Sequence, residues 1–153
     1  PLIDTATDDA YKDEYCCAAF VTTKLAEENP EAAAAFTRCN LSELPMEDTR
    51  AHDGRGLIRF HRILTGADVD GACNFMDHTV MPPGTSIGEH THASTEEEYY
   101  LVLEGEGVMR RDGETFPVRA GDLVRNRPGG THALDNPGPG PLRLFVFELG
   151  TRG

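Results

Sequence analysis

Two histidines one residue apart, His90 and His92, precede three consecutive carboxylates at Glu96–Glu98. In an extended strand, side chains alternate between the two faces, so both imidazoles point the same way from one backbone. Neutral imidazole nitrogens and a carboxylate oxygen that converge on one point make a site for a first-row transition metal. The stretch from Gly84 to Gly105 therefore predicts a metal centre that the rest of the chain must position or complete.

A further ligand is expected from the segment that runs from Gly121 to Asn136. Two histidines and one carboxylate leave a metal with few protein ligands. His132 follows the turn Pro128-Gly129-Gly130 and begins a short apolar run. A strand, a tight turn and a histidine at the start of the next strand would direct the imidazole back into a barrel. His132 is therefore the candidate fourth ligand.

The two segments together resemble the two motifs of the cupin family, in the order that the family has them. The first motif, G-x5-H-x-H-x3,4-E-x6-G, is matched at Gly84, His90 and His92, and the second, G-x5-P-x-G-x2-H-x3-N, at Gly121, Gly129, His132 and Asn136. The proline of the second motif falls on Arg127, which places a guanidinium close to the candidate ligand His132.

The carboxylate ligand is ambiguous among the three glutamates. Glu96 and Glu97 satisfy the family spacing counted forward from His92, whereas Glu98 satisfies the spacing counted back from the last glycine of the motif. Alternation along a strand favours Glu98, because it would share a face with Tyr100. The extra residue after His92 is then a loop insertion, which costs little in a turn. We expect Glu98 to be the ligand, with Glu97 as the second choice.

The resemblance implies a divalent metal held by His90, His92, Glu98 and His132, with two positions open for substrate, water or dioxygen. This ligand set accepts iron, manganese, nickel, cobalt or zinc, and we expect Fe(II). The expected function is that of a metal-dependent enzyme acting on a small organic molecule, a dioxygenase-like non-haem Fe(II) oxygenase. The alternatives are a non-oxidative isomerase, cyclase, decarboxylase or lyase, in which the metal polarises a carbonyl, or a binding protein without turnover. The sequence does not name the substrate.

Three further residues are candidates for substrate contact or proton transfer. Tyr100 would hydrogen-bond a substrate or a ligand if the barrel interior is polar. Arg127 could bind a substrate carboxylate through two parallel hydrogen bonds. His61 would line the cavity if the strand that begins at Leu57 alternates cleanly. His52 lies outside both motifs and is interpreted as a surface or structural residue.

The composition narrows the expected partners and location. The 153 residues have a formal net charge of −12 and no clustered Lys/Arg stripe, so a small molecule is a better partner than nucleic acid or an anionic membrane. The sequence has no apolar run of membrane-span length, no signal-peptide pattern at its start and no C-x-x-C spacing among its 4 cysteines. We expect a cytoplasmic protein with reduced thiols. The family resemblance adds the expectation of a homodimer.

Short strands are the elements that must position these residues. The chain has 16 Gly and 10 Pro, and apolar runs bounded by turn residues predict strands at 57–64, 73–81, 98–103, 107–111, 115–118, 122–126, 132–134 and 142–149. Glu104-Gly105-Glu106 and Asp112-Gly113 are predicted to be hairpin turns.

This strand pattern predicts an all-β sandwich or barrel. The resemblance makes it a double-stranded β-helix, the jelly-roll barrel of cupins, over residues 57–153. Residues 1–56 are predicted to form a partly helical N-terminal arm, in which a helix begins at Asn29-Pro30.

Overall fold

Ten strands and one short 3-10 helix, Ala51–Asp53, build the described part of the chain, which comprises residues 40–69 and 71–150 of a computed structural model. Within those residues no helix is long and apolar enough to cross a membrane. The strands are β1 (Glu47–Thr49), β2 (Ile58–Thr65), β3 (Cys73–Met81), β4 (Ser86–Thr91), β5 (Glu96–Glu104), β6 (Glu106–Arg111), β7 (Glu114–Arg119), β8 (Leu123–Asn126), β9 (Thr131–Asp135) and β10 (Leu142–Gly150).

The strands pair into two antiparallel sheets. The larger sheet has the order β1-β2-β3-β10-β5-β8, and the smaller has the order β4-β9-β6-β7. Because β10 lies between β3 and β5, strands that are far apart in sequence become neighbours, and the chain passes repeatedly from one sheet to the other. Residues from both sheets pack into one apolar core. The predicted all-β jelly-roll barrel is confirmed.

The inner face of the larger sheet changes from apolar to acidic along β5 and β10. On β10, Leu144 and Val146 are buried, and Glu148 follows on the same face. Val146 pairs with Tyr100 of β5, and Glu148 pairs directly with Glu98. Two buried carboxylates side by side are costly unless a cation, a metal or hydrogen-bond donors face them. This end of the barrel is therefore where a functional site is expected.

The sequence prediction omits β1 and β4. β1 is short and polar, and it pairs with β2 from within the segment that was expected to be an arm. β4 contains Gly88 and a break in its pairing with β9, which weaken the alternating pattern of a strand. The division of the chain at residue 56 stays a prediction.

One predicted hairpin is wrong and the other is confirmed. β5 and β6 belong to different sheets, so Glu104-Gly105-Glu106 is a crossing between sheets. Gly105 has a φ of 83°, and a Cβ there would lie 2.4 Å from the Pro141 carbonyl oxygen, so glycine is required. The Asp112-Gly113 turn joins the paired strands β6 and β7, and both of its residues have positive φ, as a type I′ turn requires.

The predicted helix at Asn29-Pro30 lies outside the described residues, as do Cys16, Cys17 and Cys39. Cys73 at the start of β3 is a free, half-buried thiol.

Candidate metal centre

Both sheets contribute to a cluster of four potential metal ligands. His90 on β4 lies directly opposite His132 on β9 in the smaller sheet. His92 follows β4 immediately, and Glu98 comes from β5 of the larger sheet. The cluster therefore forms only when the two sheets face each other.

A β-bulge in β4 directs His90 into the barrel. The pairing of β4 with β9 shifts between Ile87 and His90, and both residues line the same cavity although they are three apart. Strict alternation would place them on opposite faces. The His90 Nδ1 lies 2.9 Å from the Gly88 carbonyl oxygen. Because a carbonyl only accepts, Nδ1 carries the proton and Nε2 keeps its lone pair for a metal.

The donor atoms of the four residues His90, His92, Glu98 and His132 all lie within 4.8 Å of one another. The Glu98 Oε2 is 3.0 Å from the His132 Nε2 and 3.3 Å from the His92 Nε2. Within the described residues, Glu98 Oε2 and His92 Nε2 are buried without a hydrogen-bond partner. Such atoms are costly unless something else satisfies them, and this donor set suits a first-row divalent metal. The residues present fit a bound metal.

The electrostatics of the cluster keep two ligands in the form that a metal needs. Burial tends to raise the pKa of Glu98, but close contacts with His132 and His92 lower it to about 2. Burial is the main reason that the pKa of His90 falls to about 4. Near neutral pH, Glu98 is therefore ionised and His90 is neutral, so neither has to lose a proton when a metal binds.

His92 lies between two carboxylates. Its Nδ1 is 2.9 Å from the Glu148 Oε2, and its Nε2 faces Glu98. The other oxygen of Glu148 accepts a hydrogen bond of 2.8 Å from the Asn74 side-chain amide. The contact with Glu98 is the main reason that the pKa of His92 is raised, and the Glu148 charge adds to it, while burial opposes both. Glu148 thus holds the His92 ring with Nε2 toward the centre.

His52 stacks on His90. The two rings are nearly parallel, with centroids 3.6 Å apart and an interplanar angle of 5°. His52 has the left-handed backbone angles φ 49° and ψ 47°, and its carbonyl lies so close to β4 that a Cβ on Gly88 would be 1.8 Å from it. A Cβ on Gly54 would meet the Ser86 carbonyl at 2.0 Å. Because Gly54 and Gly88 have no Cβ, the 3-10 helix can pack closely against β4, which places His52 on the candidate ligand His90.

An open cavity of about 470 Å³ borders the four donors. This volume is in the range of about 300–1,000 Å³ that holds drug-sized ligands. Its walls combine acidic groups with apolar and aromatic side chains. The apolar and aromatic residues are Ala51, Ile58, Phe60, Phe75, Ile87, Tyr100 and Val146.

Tyr100, one of the predicted site residues, lies at the cavity. Its hydroxyl is 3.3 Å from the His132 Nε2, and its side chain is buried. Burial, with the negative charge of Glu98, raises the pKa of Tyr100 well above its ordinary value. The hydroxyl therefore keeps its proton at neutral pH and can donate a hydrogen bond.

His61 and Arg127 do not line the cavity. β2 presents the other set of alternating residues to the interior, so His61 faces outward and its Nδ1 contacts the Pro45 carbonyl at 2.8 Å. Arg127 is exposed in the turn after β8. The Nε of the neighbouring Arg125 donates a hydrogen bond of 2.8 Å to Glu97.

The three glutamates have three different environments. Glu98 is buried within the cluster, and Glu97 faces outward to Arg125. Glu96 stands at the cavity rim, where its Oε2 accepts a hydrogen bond of 3.2 Å from the Ala93 amide. The alternation of β5 produces this division, and it is the arrangement expected if Glu98 is the ligand.

The sequence reasoning missed four ionisable cavity residues: His52, Arg62, Asp77 and Glu148. Arg62 had a usable signal, because Ile58, Phe60 and Leu64 form an apolar alternation that includes its position. His52 and Glu148 had none, since both belong to the site through contacts that only the folded chain makes.

The fold and the cluster define a class of protein. Residues 77–148 match the family model described as a cupin domain. The oxalate-binding protein of Thermotoga maritima is 30% identical over 105 residues, which cover 69% of this chain and 86% of that protein. The chain belongs to the cupin family.

Two further comparisons extend the likeness. The tetracenomycin polyketide synthase protein TcmJ of Streptomyces glaucescens is 27% identical over 127 residues, which cover 83% of this chain and 80% of TcmJ. A crystal structure of a predicted oxalate decarboxylase from Thermotoga maritima superposes with a TM-score of 0.69 and 28% identity. The superposed region covers 72% of this chain and 96% of the chain in that crystal structure.

Proposed function

We propose that this cupin is a metal-dependent enzyme that acts on a small organic molecule bearing two neighbouring oxygens, with Fe(II) as the metal and dioxygen as co-substrate. The observation that supports this is the position of the four donors. They lie at the wall of an open cavity, with buried donor atoms left unpaired in the described residues. A purely structural site is closed by its protein ligands, whereas a catalytic site leaves positions open.

His90, His92, Glu98 and His132 would hold the metal. Bound Fe(II) would supply redox chemistry with dioxygen, whereas manganese, nickel, cobalt or zinc would supply Lewis-acid polarisation of a substrate oxygen. Tyr100 keeps its proton and can donate a hydrogen bond from its hydroxyl to a substrate oxygen near His132. The apolar wall that includes Ile58, Ile87 and Val146 excludes water from the substrate body.

A second candidate function rests on the relatives. The Thermotoga maritima relative is named an oxalate-binding protein, and the similar crystal structure is described as a predicted oxalate decarboxylase. Non-oxidative turnover or binding without turnover is therefore the alternative. The cavity favours a larger ligand than oxalate, because about 470 Å³ and an apolar wall exceed what a small dianion fills.

Metal analysis and oxygen-uptake measurements distinguish the Fe(II) oxygenase from the non-oxidative alternative. The metal-free protein would be reloaded with Fe(II) under anaerobic conditions and then mixed with catechols, hydroxyketones or oxalate in oxygenated buffer. One iron per chain and substrate-dependent oxygen uptake are expected, with neither in the His90→Ala/His132→Ala variant. Metal binding without oxygen uptake for any compound would favour the non-oxidative alternative, and metal content unchanged in the double variant would overturn the site.

The homodimer and the cytoplasmic location stay predictions. Sedimentation equilibrium of the purified protein would measure the first, and fractionation of the cells that make it would measure the second.

A further inference from the structure

A cluster of charged and aromatic side chains lines the cavity from β2 and β3, two strands that contribute none of the four donors. Phe60, Arg62, Phe75 and Asp77 all line the cavity, and we name them the Arg62 shelf. None of them belongs to either cupin motif matched above, and within the described residues none forms a hydrogen bond or an ion pair with a candidate ligand.

Arg62 is held rigidly in this shelf. It pairs with Asp77 across the two strands, and its Nε and Nη2 donate to the two oxygens of Asp77 at 2.6 Å and 3.0 Å. Its guanidinium lies over the Phe75 ring, 4.3 Å from the centroid. Within the described residues, its third nitrogen, Nη1, has no hydrogen-bond acceptor, and the side chain is 44% exposed. The cavity therefore contains a fixed hydrogen-bond donor.

Fold stability alone is a weak explanation for this ion pair. Burial raises the pKa of Asp77, although the hydrogen bond and charge of Arg62 oppose the shift. A partly buried carboxylate costs desolvation free energy that its partner only partly returns, and an apolar pair would fill the same wall as well. An arginine held in place on the wall of a cavity is instead the arrangement that recognises a planar or anionic group.

The strand order gives the distance that a ligand would bridge. Arg62 is on β2 and Glu98 on β5, and these strands are separated by β3 and β10. Three strand spacings place the two backbones roughly 14 Å apart, a span that their side chains shorten. Ile58 and Val146 line the cavity as well. One ring bound at the four donors covers less of this span than a fused two-ring system does, so the shelf favours the longer ligand.

We propose that the Arg62 shelf binds the far end of a planar, multi-ring substrate whose near end carries the two chelating oxygens. The far end bears a hydrogen-bond acceptor, such as a carbonyl or one acidic group, that receives the Nη1–H of Arg62. Glu96, Glu98 and Glu148 make the near end unfavourable for a compact dianion. The class is therefore a hydroxylated polycyclic aromatic compound. This inference rests on the proposed metal-dependent function.

The test uses zinc-loaded protein and two naphthalene probes that differ at one end. Both probes carry two adjacent hydroxyls on one ring, and one also carries a sulfonate at the opposite end of the other ring. The chain has no Trp, so the naphthalene fluorescence reports binding without that background. The sulfonated probe is expected to bind the natural protein about tenfold more tightly than the plain probe, the size of one charged hydrogen bond.

The key variant is Arg62→Ala/Asp77→Asn, which leaves the formal net charge unchanged and leaves no carboxylate unpaired. It is expected to bind both probes with the affinity that the natural protein has for the plain probe. Arg143→Ala/Glu104→Gln is the matched control, because the two residues form an ion pair with each other and neither lines the cavity. It should keep the tenfold preference. Far-UV circular dichroism and zinc content establish that each variant is folded and loaded.

The possible outcomes distinguish failure of the shelf proposal from failure of the proposed metal-dependent function. If the natural protein shows no preference, or the double variant keeps it, the shelf proposal is overturned while metal-dependent binding of the plain probe stands. If the plain probe binds equally well to metal-free and zinc-loaded protein, chelation at the centre is wrong, and the shelf proposal fails with it.

Discussion

The Nδ1 of His92 lies 2.9 Å from a carboxylate oxygen of Glu148, and both side chains are buried. The contact settles which imidazole nitrogen is available, because the nitrogen that donates to Glu148 cannot also bind a metal. Carboxylates in this position orient the ring and raise the basicity of the ligating nitrogen. Glu148 lies outside both sequence motifs. It therefore affects how well the candidate ligand His92 can bind a metal.

Replacing Glu148 by Gln is expected to weaken metal binding by about 10–100-fold, because the amide neither holds the His92 proton as firmly nor supplies charge. Competition with a chromophoric chelator at mildly alkaline pH would measure the change. Glu104→Gln, on the exposed end of β5, is the matched control and should bind metal as the natural protein does. Equal affinity for all three proteins would remove Glu148 from the site.

Loss of the His52 ring is expected to lower metal affinity by about two- to tenfold, the value of an aromatic stack. His52→Ala removes the stack on His90, whereas His52→Phe keeps a flat ring there and should restore most of the affinity. His61→Ala, outside the cavity, serves as the control. A Phe variant as weak as the Ala variant would show that stacking is not what His52 contributes.

The carboxylate assignment has a direct test in two neighbouring glutamates. Glu98→Gln should abolish stoichiometric metal binding, because it removes the buried anionic donor of the cluster. Glu97→Gln should leave the metal content unchanged, because that side chain faces Arg125 on the outside of the sheet. Metal analysis after dialysis measures both. A greater loss of metal from Glu97→Gln than from Glu98→Gln would mean that β5 presents the opposite set of side chains to the cluster.

Metal affinity is expected to fall with acidification by at least about tenfold per pH unit once the pH drops below the pKa of His92, which is raised above the ordinary 6.5. Below that pKa the metal must displace one proton from His92, whereas His90, with its pKa near 4, and Glu98, near 2, are already deprotonated. Glu148→Gln removes one cause of the raised pKa, so its loss of affinity should begin at lower pH. Affinity measured across the mildly acidic to neutral range would establish the slope, and an unchanged onset in the variant would contradict this account.

Gly88→Ala is expected to destabilise the protein by about 1–3 kcal/mol, because the added methyl group meets the His52 carbonyl at 1.8 Å. Urea unfolding of the metal-free protein would measure the loss. In Gly140→Ala the added Cβ has no neighbour within 4 Å, so the change should stay within about 0.5 kcal/mol. Equal stability of the two variants would mean that the 3-10 helix is not pressed against β4.

The local sequence was sufficient for most strands and for the spacing of the candidate ligands. Turn residues and apolar runs mark eight of the ten strands, because these signals act within a few residues of one another. The spacing of His90, His92 and His132 matches motifs that belong to one family. The choice of Glu98 over its neighbours also follows from alternation along a single strand.

Tertiary structure alone decided what surrounds those ligands. The bulge at Gly88 changes the face of His90, the packing of the 3-10 helix places His52, and the pairing of β10 with β5 sets Glu148 beside Glu98. His61 lies outside the cavity and Arg62 lines it, which the alternation of Ile58, Phe60 and Leu64 already indicated. The positions of His90, His52 and Glu148 depend instead on contacts between residues far apart in the chain, which no local pattern encodes.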